Sequence, residues 1–284
     1  MNKSLTDDEL AEFITRILDE DIGSGDATTI ATVPEGTVLS VTMNAREDFV
    51  VSGIDITAAV FRRLDPEITI EILVRDGGRV KNNTPLMTLK GNARAILTGE
   101  RAALNILQHL SGIATLSARY VKELEGTGTI LLDTRKTTPG LRKLEKYATT
   151  CGGAQNHRIG LYDAILIKDN HIAAAGGIRQ AIRGAKALNA GIPAGIPIET
   201  ECDTLEQLKE ALDEGIDLVL LDNMSLDQLR KAVKIARGQC KIEASGRVSL
   251  ETIRAIAKTG VEYISTSKIT QSAPSVDIGL DYSD

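Results

Sequence analysis

From about residue 129 onward, short apolar runs and amphipathic helical stretches take turns, and this alternation limits the fold more than any other feature of the chain. Strand candidates are Thr129 to Asp133, Ala164 to Lys168, Ile196 to Glu201, Asp217 to Asp222, Lys241 to Ser245 and Glu262 to Thr266. Between several of them lie helices at Leu205 to Leu212, Leu226 to Ala236 and Leu250 to Thr259, each introduced by Thr, Ser or Asp near the cap position. Such alternation means a parallel sheet, closed or open. No GxGxxG follows any of these strands, which removes the main signal for a dinucleotide-binding open sheet, so a barrel is expected.

The first part of the chain reads differently. Thr6 and Glu9 form a capping box, and Leu10, Phe13, Ile14, Ile17 and Leu18 repeat on one helical face up to Gly23 and Gly25. From about Thr37 to Leu89 come short β-rich runs (Val38 to Met43, Ile68 to Val74, Leu86 to Leu89) and one helix from Ile54 to Leu64, an α+β pattern. Residues 75–91 resemble the strand-turn-strand of biotinyl and lipoyl carriers, but Lys90 lacks the Met-flanked motif of a carrier lysine, so the segment is expected to be sheet. A long helix is expected to begin near Thr98.

In β/α barrels, reacting groups sit at the carboxyl ends of the strands. Here the runs end in Asp133, Lys168, Glu201, Asp222, Ser245 and the pair Ser265–Thr266. Any one of these could simply mark where a strand stops, but six in series describe a site. The loops beyond the first two ends add Arg135 and Lys136, then His157 and Arg158, and His171 follows Lys168 closely. Such a gathering calls for a ligand with several negative charges, carboxylate and phosphate together. Glu201 and Asp222, facing a phosphate-rich ligand, most economically hold Mg²⁺, and could also stabilise a cationic sugar. The Ser245–Gly246 turn offers backbone N–H groups at a helix entry for a phosphate.

Composition excludes other classes. There are 33 Lys+Arg against 39 Asp+Glu, a net charge of −6, which argues against a protein that coats nucleic acid or an anionic membrane. With aromatics at 3% there is little material for base stacking. Three separated Cys, at 151, 202 and 240, suggest neither a disulfide framework nor a zinc site, and a reducing cytoplasm is the simplest setting. No apolar run reaches the length of a membrane span, and MNKSLTDDEL has acidic residues where a signal peptide would be expected to carry an apolar region. The three His show neither HxH nor HExxH spacing, and His109 reads as a packed or hydrogen-bonded core residue. There is no GxSxG elbow and no Cys beside a plausible base.

The run DTRKTTPGLRKLEKYATTCGGAQNHRIGLYDAILIKDNH closely resembles the quinolinate phosphoribosyltransferases, as do EDIGSGDATT (20–29), GERAALNILQHLSGIAT (99–115), ETE (199–201), LLDN (220–223), EASG (243–246) and DIGLD (277–281). The resemblance implies a type II phosphoribosyltransferase fold: an N-terminal α/β sandwich domain, residues 1–112 joined by 271–284, and an incomplete (open) α/β barrel, residues 113–270. It implies transfer of a phosphoribosyl group from phosphoribosyl pyrophosphate to quinolinate with decarboxylation, assisted by Mg²⁺, in a homodimer or higher assembly with shared sites. Carried over by residue, Arg135, Lys136, His157, Arg158 and Lys168 form the basic pocket, with His171 beside it. Glu201 and Asp222 are the ribose and Mg²⁺ carboxylates, Ser245 and Gly246 begin the 5′-phosphate turn, and Arg101 comes from the partner subunit. Lys136, Lys168, Glu201 and Asp222 are the residues expected to carry catalysis.

The chain departs from the family pattern at Arg247, where a second Gly is usual, and at Thr266, Ser267 and Gln271, where Val-Gly and a later His are common. Thr266 and Ser267 are kept as substrate-binding candidates. The alternatives are a molybdate-transport-associated homologue, which shares the fold, and a non-catalytic anion-binding protein.

Overall fold

The computed structural model describes residues 5–192 and 195–282. In chain order the first elements are α1 (Asp7–Ile22), α2 (Ala27–Thr32), β1 (Val38–Ala45), β2 (Phe49–Val50), α3 (Ile54–Leu64), β3 (Thr69–Ile72), β4 (Arg79–Val80), β5 (Pro85–Asn92) and α4 (Ala93–Glu123). Then follow β6 (Ile130–Leu132), α5 (Arg142–Cys151), β7 (Ile165–Ile167), α6 (Asp169–Ala175), α7 (Ile178–Asn189), β8 (Ile198–Cys202), α8 (Leu205–Asp213) and β9 (Leu218–Asp222). The last are α9 (Leu226–Ala236), β10 (Lys241–Ser245), α10 (Ile253–Ala257), β11 (Tyr263–Ser265), α11 (Lys268–Gln271) and β12 (Ile278–Tyr282). They fall into two units. The first holds the chain up to Ala118, with Thr138–Gly153 and the residues from Ser272 onward; the second holds Arg119–Thr137 and Ala154–Gln271. Among the described residues no helix is long and apolar enough to cross a membrane.

The first unit is an antiparallel sheet in the order β12-β1-β5-β3, with β1 pairing Val41 to Leu89 on one side and to Tyr282 on the other. Along β1 the buried residues alternate, Val41, Met43 and Ala45, so one face turns inward. That face meets Phe13 of α1, Phe61 of α3 and Leu107 of α4 in one core, where each large side chain buried this fully contributes about 1.5–3 kcal/mol. Residues 138–153 were expected in the barrel, but Leu144 and Ala148 of α5 bury into this core and carry the segment with them. His109 bonds through Nε2 to Glu145 Oε1 at 2.9 Å, and Glu145 Oε2 accepts the N–H of Thr138, which makes it the hydrogen-bonded structural histidine expected.

One expectation shifts in this unit, one element is added and one expectation holds. The helix beginning near Thr98 starts earlier, at Ala93, because Asn92 Oδ1 accepts the N–H of Ala95 and starts the first turn. A short helix, α2, follows Gly25, capped by Asp26. Lys90 sits inside β5, opposite Ser40 and Thr69, so it occupies a sheet interior position and no hairpin tip.

The second unit is a six-stranded parallel sheet in the order β6-β11-β10-β9-β8-β7. Only β6 and β7 lack a second neighbouring strand, and β6 is extended by Gln155, which exchanges N–H and C=O bonds with Leu131 and Asp133. The ladder does not close between that segment and β7, so the barrel is incomplete, as expected. Thr204 and Ser225 cap α8 and α9 through reciprocal bonds with Gln207 and Gln228. The helix expected over Leu250 to Thr259 is shorter, Ile253–Ala257, because both ends tighten into turns: Ala255 N–H donates to Thr252 O and Thr259 N–H to Ile256 O.

Two positions test this packing. Pro274 O lies 2.0 Å from where a Cβ on Gly112 would sit, so α4 admits the returning C-terminal segment only because residue 112 has no side chain. Gly112→Ala should cost about 1–3 kcal/mol by forcing backbone apart, read as a lower denaturant midpoint at unchanged m-value. Arg247 has φ +51°, a left-handed backbone that costs a non-Gly residue about 1–2 kcal/mol. Arg247→Gly should therefore leave stability unchanged or raise it by up to about 1 kcal/mol, since relief of strain is partly offset by the freedom Gly adds to the unfolded chain.

Candidate active site

Inward-facing side chains at the strand ends line a cavity of about 220 Å³ at the carboxyl edge of the parallel sheet. Its wall consists of Thr134, Arg135, Lys136, His157, Arg158, Leu166 and Lys168 on one side of the sequence, then Glu201, Leu220, Asp222, Glu243, Ser245 and Ser265. The strand period of two explains the pairs: Leu220 and Asp222 share a face of β9, and Glu243 and Ser245 share a face of β10. Register puts Ser245 beside Asp222 and Glu201 beside Leu220. Of the residues expected from the sequence, the cavity brings together Arg135, Lys136, His157, Arg158, Lys168, Glu201, Asp222 and Ser245.

Like charges are crowded in two places. Burial, and then the charge of Arg135, hold the Arg158 guanidinium below its ordinary pKa. Burial, and then the charge of Asp222, push the Glu201 carboxyl up, while Lys168 opposes this. The cavity thus presents a crowded cationic side and a crowded carboxylate side. Carboxylate oxygens of Glu201, Asp203 and Asp222 lie within 4.8 Å of one another, near enough for one ion, and Asp203 was not singled out from the sequence.

The other expected residues lie elsewhere. Arg101 is exposed on α4 in the first unit, where it borders a depression with Asp21, Asp26 and Thr98. His171 is exposed on α6, and its Nδ1 accepts the Lys168 N–H at 2.9 Å, so it ties the strand end to the first helical turn instead of lining the cavity. Gly246 has φ +88°, and a Cβ there would meet Asn223 Oδ1 at 2.3 Å; this is a position for Gly on two counts. Asn223 donates its N–H to Ser245 O, which draws the turns after β9 and β10 together. Thr266 is buried, with its N–H on Leu132 O. Ser267 O accepts from Thr270 and Gln271 and so begins α11. Thr270 Oγ1 also donates to Lys136 O at 2.9 Å, anchoring the loop that carries Arg135 and Lys136.

Sequence reasoning named Asp133 only as a strand end and missed Glu199 and Glu243, the second of which belongs to the cavity wall. Asp133 is fully buried; its Oδ1 accepts the His157 N–H at 2.9 Å and its Oδ2 accepts from Asn156 Nδ2 at 2.6 Å. Glu199 and Glu243 are buried below Glu201 and Ser245, and His157 Nε2 lies 2.9 Å from Glu199 Oε2 and 3.6 Å from Glu243 Oε2. Burial above all, and then Glu199, push the Glu243 carboxyl up, so it tends to keep its proton. Counting back two residues from each polar strand end finds both glutamates.

Comparison with known proteins gives one answer along the whole chain. The family description "Quinolinate phosphoribosyl transferase, N-terminal domain" matches residues 26–111, and its C-terminal counterpart matches residues 113–281. A nicotinate-nucleotide pyrophosphorylase (carboxylating) of Mycobacterium leprae is 43% identical over 280 residues, covering 96% of this chain and 97% of its own. The solved nicotinate-nucleotide pyrophosphorylase of Francisella tularensis has a TM-score of 0.91 at 40% identity and covers 98% of each chain. That of Ehrlichia chaffeensis has a TM-score of 0.90 at 41% identity, covering 96% of this chain and 98% of its own. Matched in both domains and over almost its full length, this chain belongs to the quinolinate phosphoribosyltransferase family.

Proposed function

We propose that this chain transfers the phosphoribosyl group of phosphoribosyl pyrophosphate to quinolinate, releasing pyrophosphate and CO2 and forming nicotinate mononucleotide for NAD biosynthesis. The observation that carries this reading is the cavity's division into a cationic side, Arg135, Lys136, Arg158 and Lys168, and a carboxylate side, Glu201 and Asp222. A dianionic pyridine suits the first, because planar guanidinium groups match carboxylates in a bidentate fashion and Lys supplies a movable charge. A sugar that becomes cationic at C1 suits the second.

The residues' work follows from the bonds that change. As the C1–O bond to pyrophosphate breaks, the electron pair leaves with pyrophosphate, and Glu201 and Asp222 stabilise the positive charge left on the sugar. The ring nitrogen, held by the cationic side, gives its lone pair to C1 and becomes quaternary. The bond from C2 to its carboxylate then breaks, CO2 departs, and the electron pair left at C2 is stabilised by the positive nitrogen until a proton from solvent takes it. Lys136 and Lys168 are placed to neutralise the anionic groups that approach and leave. The Ser245–Gly246 turn is the proposed seat of the 5′-phosphate; Thr266, buried with its N–H on Leu132 O, and Ser267, which starts α11, are kept as candidates for binding beside it.

The donor set fits Mg²⁺: Glu201 and Asp222, with Asp203 beside them, offer only oxygens, and their mutual repulsion is what a divalent ion relieves. Mg²⁺ would supply charge neutralisation for the departing pyrophosphate. Arg101 is assigned to the active site of a partner subunit in a homodimer or higher assembly, which agrees with its exposed place on α4. The cytoplasm is the proposed compartment, consistent with three unpaired thiols.

Purified protein with Mg²⁺, quinolinate and phosphoribosyl pyrophosphate should release CO2 and pyrophosphate in equal amounts; release of neither would overturn the reading. Nicotinate lacks one carboxylate, and losing one charge-assisted contact should lower kcat/KM by about 10- to 100-fold, with comparable rates for both pyridines counting against the assigned cationic side. Mixing inactive Arg101→Ala with inactive Lys168→Ala should restore part of the activity through hybrid assemblies that contain one intact site. No recovery after verified subunit exchange would exclude a shared site.

A further inference from the structure

Glu199 and Glu243 are carboxylates buried where an unpaired charge costs several kcal/mol, so something must justify their place. They do not reach the mouth of the cavity as Glu201 and Asp222 do, since each sits one inward position deeper on its strand. What they do reach is the His157 ring, at 2.9 and 3.6 Å from Nε2. The other ring nitrogen is engaged as well: Nδ1 accepts the N–H of Arg158 at 2.7 Å. A nitrogen that accepts cannot carry a proton, so the proton of a neutral ring belongs to Nε2, where it is donated to Glu199. His157 thereby has both nitrogens committed inside the chain. Its backbone is fixed too, since Asp133 accepts its N–H, and Arg158 Nη1 reaches Ala164 O at 3.2 Å.

We propose that Glu199 and Glu243 are positioning residues for the acceptor site: they hold the His157 imidazole as its Nε2–H form, and the ring in turn fixes the backbone of Arg158 and sets where its guanidinium enters the cavity. His157 is then a strut between two buried carboxyl groups and a substrate-binding arginine. Its contribution to acceptor binding passes through Arg158. Oε1 of Glu199 and both carboxyl oxygens of Glu243 are buried without a hydrogen-bond partner among the described residues, which leaves the His157 ring as the polar group these side chains approach. This inference rests on the proposed reaction for the identity of the acceptor, but the state of the ring does not.

Two measurements test it. First, ¹⁵N spectra of protein with labelled histidine report which nitrogen of each ring is protonated; with only three His in the sequence, His109→Gln and His171→Gln assign the signals. The expected result for His157 is a proton on Nε2 and a bare Nδ1; a proton on Nδ1, an imidazolium, or a metal-bound nitrogen would overturn the proposal. This result stands whether or not the protein turns over quinolinate, so it separates failure of the inference from failure of the proposed reaction. Second, Glu199→Leu removes the acceptor for Nε2–H, and the KM for quinolinate should rise by about tenfold or more while that for phosphoribosyl pyrophosphate changes by less than about threefold. Glu199→Gln keeps an amide oxygen to accept the same proton and should restore quinolinate KM to within about threefold of the original. A folded Glu199→Leu protein with unchanged quinolinate KM, or with both KM values raised alike, would contradict the positioning role. If Glu199→Leu does not fold, the Gln variant decides with the spectrum: loss of the Nε2–H form together with an unchanged quinolinate KM would defeat it.

Discussion

The cationic side of the cavity depends on how one short segment, Asn156 to Arg158, is held at the seam of an incomplete barrel. Elsewhere in the parallel sheet each strand end is fixed by ladders on both sides, but here the ladder ends at Gln155 and resumes only at β7. Side chains do what the missing ladder cannot. Asp133 accepts the N–H of His157 and the side-chain amide of Asn156, Glu199 takes Nε2 of the His157 ring, and Arg158 reaches across to Ala164 O just before β7. Beyond the seam the loop closes on itself, with the N–H groups of Ile159 and Gly160 both on the Asp163 carboxylate. The open seam removes backbone pairing from this segment, and buried carboxylates give back the rigidity that pairing would have supplied.

The same constraint explains why carboxylates and cations share a site in a chain whose net charge is −6. Four cations at one mouth repel one another unless acids lie near, and in the proposed reaction acids are also needed on the sugar side. The structure separates the two tasks by depth along each strand. On β8, Glu201 faces the cavity while Glu199, two residues earlier, is buried against His157; on β10, Ser245 faces the cavity with Glu243 below it. In the proposed reaction the upper carboxylate would serve the sugar side, while the lower ones lie against the His157 ring.

Much of this was legible in the sequence. Each strand of the barrel falls within one or two residues of its apolar run, because a buried parallel strand needs an unbroken apolar stretch and a polar residue marks its exit. The cavity's cations were readable for the same reason, since they follow those exits directly. Less legible were features that depend on partners distant in the chain. Glu199 and Glu201 in "ETE" share one face of β8, so the pleat does not separate them; depth along the strand does, with Glu199 level with Leu166 inside the sheet and Glu201 one step nearer its carboxyl edge. Nothing near Gly112 announces Pro274, whose carbonyl requires it, and β12 becomes a strand only because β1 offers it an edge. The Asn92 cap was a local signal passed over in favour of the stronger apolar periodicity further along α4.

Arg247 shows how a turn can carry a side chain on a left-handed backbone. The turn after β10 needs a left-handed backbone at two successive positions, φ +88° at Gly246 and +51° at Arg247. The first position cannot accept a side chain, because Asn223 occupies the space. The second has the same backbone requirement, and the chain meets it with a residue that pays in strain only, so a side chain is possible there at modest cost. The consequence is a guanidinium one residue from the proposed phosphate turn, on a backbone held in the conformation that a Gly would have adopted freely. The turn therefore offers a positive charge beside Ser245 and Gly246, and its shape rests on the left-handed backbone at 246 and 247 and on the N–H of Asn223 donated to Ser245 O.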